Sequence, residues 1–398
     1  MTYTGPLIIA AFGILALAVR RSEKLKGLSY TLWIFTAVAA AMFYPQYFTH
    51  AGKFEFKKLI VPLLQIIMFG MGSQMSFSDF AGVIRMPKGV IIGVISHYII
   101  MPLVGFGIAH IFNFPPEIAA GIILIGCVPS GLASNVMSYI AKANLALAVT
   151  VGAVSTLLSP LITPALMKWL GGQFIEVNFW SMMLDIFNMI ILPIIAGFVF
   201  NLFLKPGKGR KEKTAQLLSY LGIIVVTAFL SMKVKNSGLP GFTKVLVLSV
   251  TWFSVLPGLA GYAIRKFSSG SPTWLEKVLS TVSMVGIALI VTVITAAGRD
   301  SLLKVGALLV VTSILHNLSG YTLGYSLSWL ARMPEKDRRT IAFEVGMQNG
   351  GLASGLALQM GKVATVGLAP AIFGPLMNIT GSVLANWWRS KPVKEKNT

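Results

Sequence analysis

The sequence predicts an all-α polytopic membrane protein: two inverted repeats of five helices, one interrupted helix in each, and about three further membrane helices. Three observations carry this. The 398-residue chain is 55% hydrophobic and only 12% charged, with a mean hydropathy of +0.77, whereas a soluble domain carries about 25% charged residues. Long charge-free runs recur from end to end. Two of the apolar segments are broken by glycine, proline and polar residues, and both breaks carry the same tetrapeptide.

The runs are Leu28–Gly52, Leu59–Ser78, Gly89–Pro116, Ile118–Ala141, Ala143–Met167, Ile186–Leu204, Thr214–Met232, Val245–Ile264, Val278–Gly298, Val305–Ala331 and Val363–Trp388. Each is long enough to cross about 30 Å of hydrocarbon at about 1.5 Å per helical residue. The shorter Gly5–Val19 and the segment Thr340–Gly361 bring the candidate spans to thirteen.

The net charge of +20 is not a nucleic-acid footprint, because it is distributed by topology. If the first span enters the cell, most of the 33 basic residues fall in alternate loops: the groups around Arg20, Arg85, Lys142, Lys208, Arg265, Arg338 and Lys391. The positive-inside rule then puts the N-terminus outside, the C-terminus in the cytoplasm and the chain in the inner (plasma) membrane as a multi-pass protein. Met1–Arg21 has its apolar run before its basic residues, the reverse of a secretory signal, and reads as a retained helix. The single cysteine, Cys127, excludes an internal disulfide and a thiolate metal site built from cysteines.

The first break is Gly126-Cys127-Val128-Pro129-Ser130-Gly131-Leu132-Ala133-Ser134-Asn135. Pro129 removes an amide donor and clashes with the preceding turn, and Gly131 permits an unwound path. The second is Phe343-Glu344-Val345-Gly346-Met347-Gln348-Asn349-Gly350-Gly351-Leu352-Ala353-Ser354. A carboxylate at membrane depth costs about 2.5–3.5 kcal/mol on insertion scales, so Glu344 marks a functional position. Broken helices are tolerated in a bilayer only where they are buried or line a cavity.

Elsewhere, Phe69-Gly70-Met71-Gly72 reads as close helix packing. His97, inside an apolar run and followed by Pro102, is a candidate for a polar interior; His50 and His110 are not. Asp185 suits a structural or interfacial role near a helix start. His316, Asn317 and Asn378 are candidates for lining a cavity, and Trp387 and Trp388 close the last helix as interface anchors.

Gly131-Leu132-Ala133-Ser134 and Gly351-Leu352-Ala353-Ser354 are identical and equivalently placed, the pattern expected of an inverted-repeat transporter. The expected organisation is an extra N-terminal helix in 1–27, a first repeat in 28–170, the first helix of the second repeat in 171–205, a two-helix insertion in 206–270, and the rest of the second repeat with a cytoplasmic tail in 271–398. No HExxH, GxSxG, P-loop or dinucleotide fingerprint appears, which argues against an enzyme. Freed carbonyls with the Ser134, Asn135, Glu344 and Gln348 side chains suit a monovalent cation. Half-helix N-termini near Gly131 and Gly350 suit a carboxylate.

Ile67 to Gly72, Pro129 to Tyr139, Ser155 to Pro164 and Glu344 to Asn349 together resemble the bile acid:sodium symporter family, especially its bacterial members. The resemblance implies a ten-helix core in which the two discontinuous helices cross, and a symporter that carries an organic anion, from bile acids to small acids such as pantoate, by alternating access. Carried over, it implies one sodium site at Ser134, Asn135 and Glu344, weakened because Ala148 and Gly152 stand where the family has hydroxyls. It implies a second at Glu344, the Val345 and Met347 carbonyls and Gln348, with His97 in place of a glutamine. For the substrate it implies the amides of Gly131, Leu132, Ala133 and Gly350, with Asn349 and Asn378; Asn317 joins these from its place in the chain.

Sodium is thus the expected coupling ion, with no organic cofactor; the expected partners are a small organic anion and the lipid bilayer, not nucleic acid, and the oligomeric state is open, with a monomer compatible. Proton-coupled or sodium-independent transport through His97 and Glu344 is the alternative. A membrane-embedded enzyme or sensor using the same pair, or a channel, ranks below it.

Overall fold

The computed structural model of the chain describes residues 4–21, 29–75, 82–204, 241–267 and 273–391, with the single positions 214, 218, 222, 225 and 393. The chain forms two compact units. One comprises Met1–Pro62, Ser78–Ile186 and Ile287–Thr398, the other Leu63–Phe77 and Phe187–Gly286. The basic segment 205–213 and nearly all of the run Thr214–Met232 lie outside the described residues.

The protein is an all-α membrane protein. Its helices are α1 Thr4–Val19, α2 Ser29–Phe43, α3 Ile60–Gly72, α4 Pro87–Ile111, α5 Pro116–Cys127, α6 Ala133–Ile140, α7 Leu145–Leu170, α8 Phe179–Ile186, α9 Leu192–Leu204, α10 Gly241–Phe267, α11 Thr273–Ala297, α12 Arg299–Leu330, α13 Glu335–Gly346, α14 Gly350–Gln359 and α15 Leu368–Arg389. Among the described residues, six helical stretches are long and apolar enough to cross a membrane: Pro87–Ile111, Leu145–Gln173, Phe179–Leu204, Lys277–Ala297, Arg299–Leu330 and Leu368–Arg389. A small hairpin, β1 His50–Ala51 with β2 Phe54–Glu55, lies beyond α2 at the end of the run Leu28–Gly52. Gly52 turns it with φ +58°.

The smaller unit is held by close backbone approach. A Cβ on Gly72 would stand 2.1 Å from the Ile194 carbonyl oxygen, and one on Gly197 2.0 Å from that of Phe69, so only glycine lets α3 and α9 meet. The Phe69–Gly72 motif is thus a packing surface. Between α8 and α9 the backbone widens into a π-turn, Phe187–Ile191. Asp185 lies just before it, half-buried in the second turn of α8 rather than at its start.

In the larger unit the same series of local features occurs twice. α5 follows Pro115 and has Glu117 in its first turn; α13 follows Pro334 and has Glu335 and Asp337 there. Prolines suit the helix start and acids the positive end of the dipole. α5 ends in extended backbone at Val128, the residue before Pro129, whose ring disfavours helical geometry there. α13 ends likewise at Met347. α6 and α14 follow, and each closes on a positive-φ residue, Lys142 (φ 53°) and Gly361 (φ 70°). The segment expected as Thr340–Gly361 therefore begins earlier, at Glu335, because the charged first turn of α13 continues the helix outward.

Candidate functional site

An interrupted helix leaves carbonyls at the end of its first half without intrahelical partners. Buried backbone groups must be paired, so the fate of each freed carbonyl can be followed. At the first break, the Cys127 carbonyl accepts from Thr163 Oγ1 at 2.8 Å, and the Val128 carbonyl lies 2.9 Å from His97 Nε2. The Pro129 carbonyl accepts from the Asn349 amide at 2.9 Å. At the second break, the Val345 carbonyl accepts from Gln348 Nε2 at 2.7 Å and that of Gly346 from Asn317 Nδ2 at 2.8 Å, while the Glu344 carbonyl lies 2.8 Å from His97 Nδ1, so that the neutral ring donates to one of the two carbonyls it faces. The Met347 carbonyl accepts from the Gly131 amide at 3.0 Å. The two breaks pair with each other as a short antiparallel bridge, Ser130 opposite Gln348. Gly131 is required there, since a Cβ would stand 2.6 Å from the Gln348 carbonyl oxygen.

While the backbone is satisfied, a group of side-chain oxygens is not. Both carboxylate oxygens of Glu344, Asn135 Oδ1 and Gln348 Oε1 are buried without a hydrogen-bond partner. Glu344 and Gln348 are fully buried. An uncompensated buried carboxylate carries a penalty of several kcal/mol. Acceptor oxygens gathered in this way suit a hard monovalent cation. Ser134, which donates to the Gly131 carbonyl at 2.8 Å, and Ser130, 3.3 Å from Ser134 Oγ, add hydroxyl oxygens at the same break. Gly152 of α7 faces the group: a Cβ there would stand 3.5 Å from Glu344 Oε2. Ala148 is buried one turn earlier on the same helix. Among the described residues, no three His, Cys, Asp or Glu side chains gather into a metal cluster.

His97 is fully buried and bonds to the main chain of Glu344, not to its carboxylate. His316 Nε2 donates to the Met101 carbonyl at 2.9 Å. Asn317 is used at both ends: its amide nitrogen holds Gly346, and its oxygen accepts from Thr380 Oγ1 at 2.5 Å. Asn349 caps α14, accepting from the Leu352 amide at 3.0 Å. Asn378 is half-buried on α15. Val345, Met347, Gly131, Ala133 and Gly350 sit at the breaks themselves, and Leu132 is 40% exposed at the start of α6. Sequence reading did not single out Thr163 or Ser130, and no periodicity marks Thr163, which reaches Cys127 across 36 residues.

Comparison with known proteins gives one consistent answer. A family model described as the sodium bile acid symporter family matches residues 61–239. A Bacillus subtilis (strain 168) protein described as the uncharacterized sodium-dependent transporter YocS is 34% identical over 379 residues, covering 95% of this chain and 96% of that protein. The probable sodium/metabolite cotransporter BASS1, chloroplastic, of Arabidopsis thaliana is 30% identical over 332 residues, 83% of this chain and 67% of its own. Among solved structures, the sodium proton antiporter MjNhaP1 from Methanocaldococcus jannaschii at pH 8 matches with a TM-score of 0.51 and 13% identity over 98% of each chain. At that identity the likeness concerns the fold alone.

Proposed function

Because the chain belongs to the sodium bile acid symporter family, we propose that its paired breaks form the cation and substrate centre of a symporter that carries an organic anion by alternating access. The chain is a sodium-coupled secondary transporter of that family and not an enzyme. In this reading the core is a five-plus-five inverted repeat, and α5–α6 and α13–α14 are its two discontinuous helices, crossing at residues 128–132 and 347–349. The N-terminus lies outside and the C-terminus in the cytoplasm of the inner membrane. The extra N-terminal helix and the insertion within 206–270 stand outside the ten-helix core.

One observation carries the reading: Glu344, Asn135 and Gln348, at two breaks joined by a backbone bridge, all have buried side-chain oxygens without a hydrogen-bond partner. Sodium is cargo there. Bound among these oxygens with Ser134, it compensates the Glu344 charge that the fold leaves bare. It also lies against the C-terminal ends of α5 and α13, whose dipoles are negative. α6 and α14 begin on the far side of the breaks, and their first-turn amides and positive dipole ends suit a substrate carboxylate. Cation and anion then sit at opposite dipole ends of the same four half-helices, and each favours binding of the other. Leu132, exposed beside the start of α6, favours an anion with an apolar body.

A thermal-shift screen of organic acids, with sodium present and then replaced by choline, tests this. The expected result is an acid that stabilises the protein only when sodium is present. No sodium-dependent stabilisation by any acid, together with uptake unchanged in choline, would overturn sodium coupling and favour the second reading, sodium-independent or proton-coupled transport. One observation bears on that reading: His97 is a buried titratable ring with a carbonyl oxygen at each nitrogen, donating to one of them when neutral and to both only when protonated.

A further inference from the structure

Serine and threonine inside helices ordinarily return their hydroxyl to a carbonyl three or four residues back. Ser134 does so to Gly131, Thr150 to Ala146, Thr156 to Gly152 and Ser354 to Gly350. Ser138 does not. Its side chain is fully buried in α6, and its hydroxyl has no partner of any kind. Leaving a buried hydroxyl unpaired is costly, so a group held in this way is suited to a partner that comes and goes.

Its position points to that partner. Ser134 and Ser138 are four apart on α6, which sets them on one face of the helix, and Ser130, in the break before it, lies 3.3 Å from Ser134 Oγ. α6 lies beside α13 and runs the opposite way. At one end Gly131 bonds to Met347; at the other, the turn after α6 bonds to the first turns of α13. There the Asn144 amide donates to Thr340 Oγ1 at 2.9 Å, and Asn144 Nδ2 donates to Asp337 Oδ1 at 2.8 Å. On α13, Glu344 and Thr340 are also four apart and share a face. Along α6, Ser138 therefore lies between the break, where Gly131 meets Met347, and the end where Asn144 meets Thr340. Thr340 is fully buried and Asp337 half-buried. Arg338 and Arg339, beside Asp337 in sequence, both turn to Glu335, at 3.7 and 2.9 Å.

We propose that Ser138, Thr340 and Asp337 line the route by which the cation leaves Glu344 toward the end of the protein where α13 begins, with Ser138 as the relay oxygen. This rests on the assignment of the cation to Glu344 and Ser134, and on the orientation that makes that end cytoplasmic. A desolvated cation needs a new oxygen at each stage of its departure. The Ser138 hydroxyl lies one turn from Ser134, and Asp337 supplies a carboxylate at the mouth. The last link, from Thr340 to Asn144 and Asp337, is already hydrogen-bonded, so the conduit needs only the cation to bridge Ser134 to Thr340.

The native chain has one cysteine, Cys127, and it is buried. A cysteine introduced by Ser138→Cys therefore reports alone, against the unmodified protein as background. In vesicles of defined orientation, a membrane-impermeant methanethiosulfonate is expected to label S138C from the cytoplasmic side only, and several-fold more slowly when sodium is present. Labelling from the outer side, or at a rate that sodium does not alter, overturns the route. A second variant, Asp337→Asn, alters a half-buried mouth residue and does not depend on the folding of S138C. It is expected to lower turnover several-fold while sodium stabilises the protein at the same concentration as before; unchanged turnover overturns the route. Glu344→Gln is measured in parallel. If sodium stabilises E344Q as it does the parent, the cation site itself is misassigned. If E344Q loses that stabilisation while D337N turns over normally, the site stands and the route falls.

Discussion

The amide of Gly131 donates to the carbonyl of Met347 at 3.0 Å. Each helix break thus satisfies part of the other's freed backbone, and the two are one structural unit. Gly131 sits at its tightest point, where no side chain fits. Gly131→Ala drives a methyl group into the Gln348 carbonyl, backbone that cannot move without separating the breaks. A loss of about 1–3 kcal/mol in stability is expected, with loss of uptake. Gly350→Ala meets the Pro370 carbonyl oxygen at 3.5 Å and Gly374 Cα at 3.8 Å, both ordinary contacts, and is expected to keep its stability. Thermal unfolding of both variants in detergent checks the contrast.

Glu344→Gln removes a buried charge that has no partner in the protein. In choline buffer at alkaline pH the variant is expected to be more stable than the parent by about 1–3 kcal/mol. In sodium the order reverses as the parent gains its ligand, and uptake by the variant is abolished. Melting curves in the two buffers decide it; equal responses to sodium would count against the cation site.

Gly152→Ser places a hydroxyl beside Glu344 Oε2, and the 3.5 Å clearance accepts the added Cβ. One more oxygen on the cation is expected to raise sodium affinity by about 0.5–1.5 kcal/mol, roughly two- to tenfold. The sodium concentration for half-maximal uptake should fall accordingly, whereas Gly152→Ala should leave it unchanged.

Glu117, in the first turn of α5, bonds to Lys362 Nζ and to Thr365 Oγ1 at 2.5 Å. The Lys362 hydrogen bond first, then that of Thr365, hold its carboxyl below the usual glutamate range. The ionised form is the one favoured by folding. Its stabilisation is therefore complete above about pH 4.3, the ordinary glutamate value, and is lost as the pH falls through the lowered folded-state value. Both side chains are 36% exposed, so the pair contributes within the range of surface ion pairs, at most about 1 kcal/mol. Lys362→Met is expected to flatten the acid limb of a stability–pH curve and to leave the neutral region nearly unchanged.

Much of the fold was legible because its signals are local. Hydropathy marked the long helices, Pro129 and the glycine pairs marked both breaks, and the repeated Gly-Leu-Ala-Ser pointed to their equivalence. Glu344 stood out because a carboxylate in an apolar segment needs a reason to be there. The four-residue spacing of Ser130, Ser134 and Ser138 was also available in the sequence. Spacing alone gave no sign that Ser138 is unpartnered while Ser134 is bonded, since that depends on how the side chain turns within its packing. The hairpin at Gly52 lay at the end of an apolar run, where hydropathy carries no strand signal.

By itself, the sequence determined that the chain lives in a membrane, where its helices break, and which carboxylate lies within an apolar segment. The tertiary structure decided how the breaks are held. His97 does not face the Glu344 carboxylate but bridges the Val128 and Glu344 carbonyls, and Asn317 closes Gly346 and Thr380 rather than standing free. The physical reason is one of range. Hydrophobicity and backbone stiffness are properties of neighbours in sequence. A buried carbonyl takes its donor from whatever packing brings near, here a serine that reaches Met347 across 217 residues.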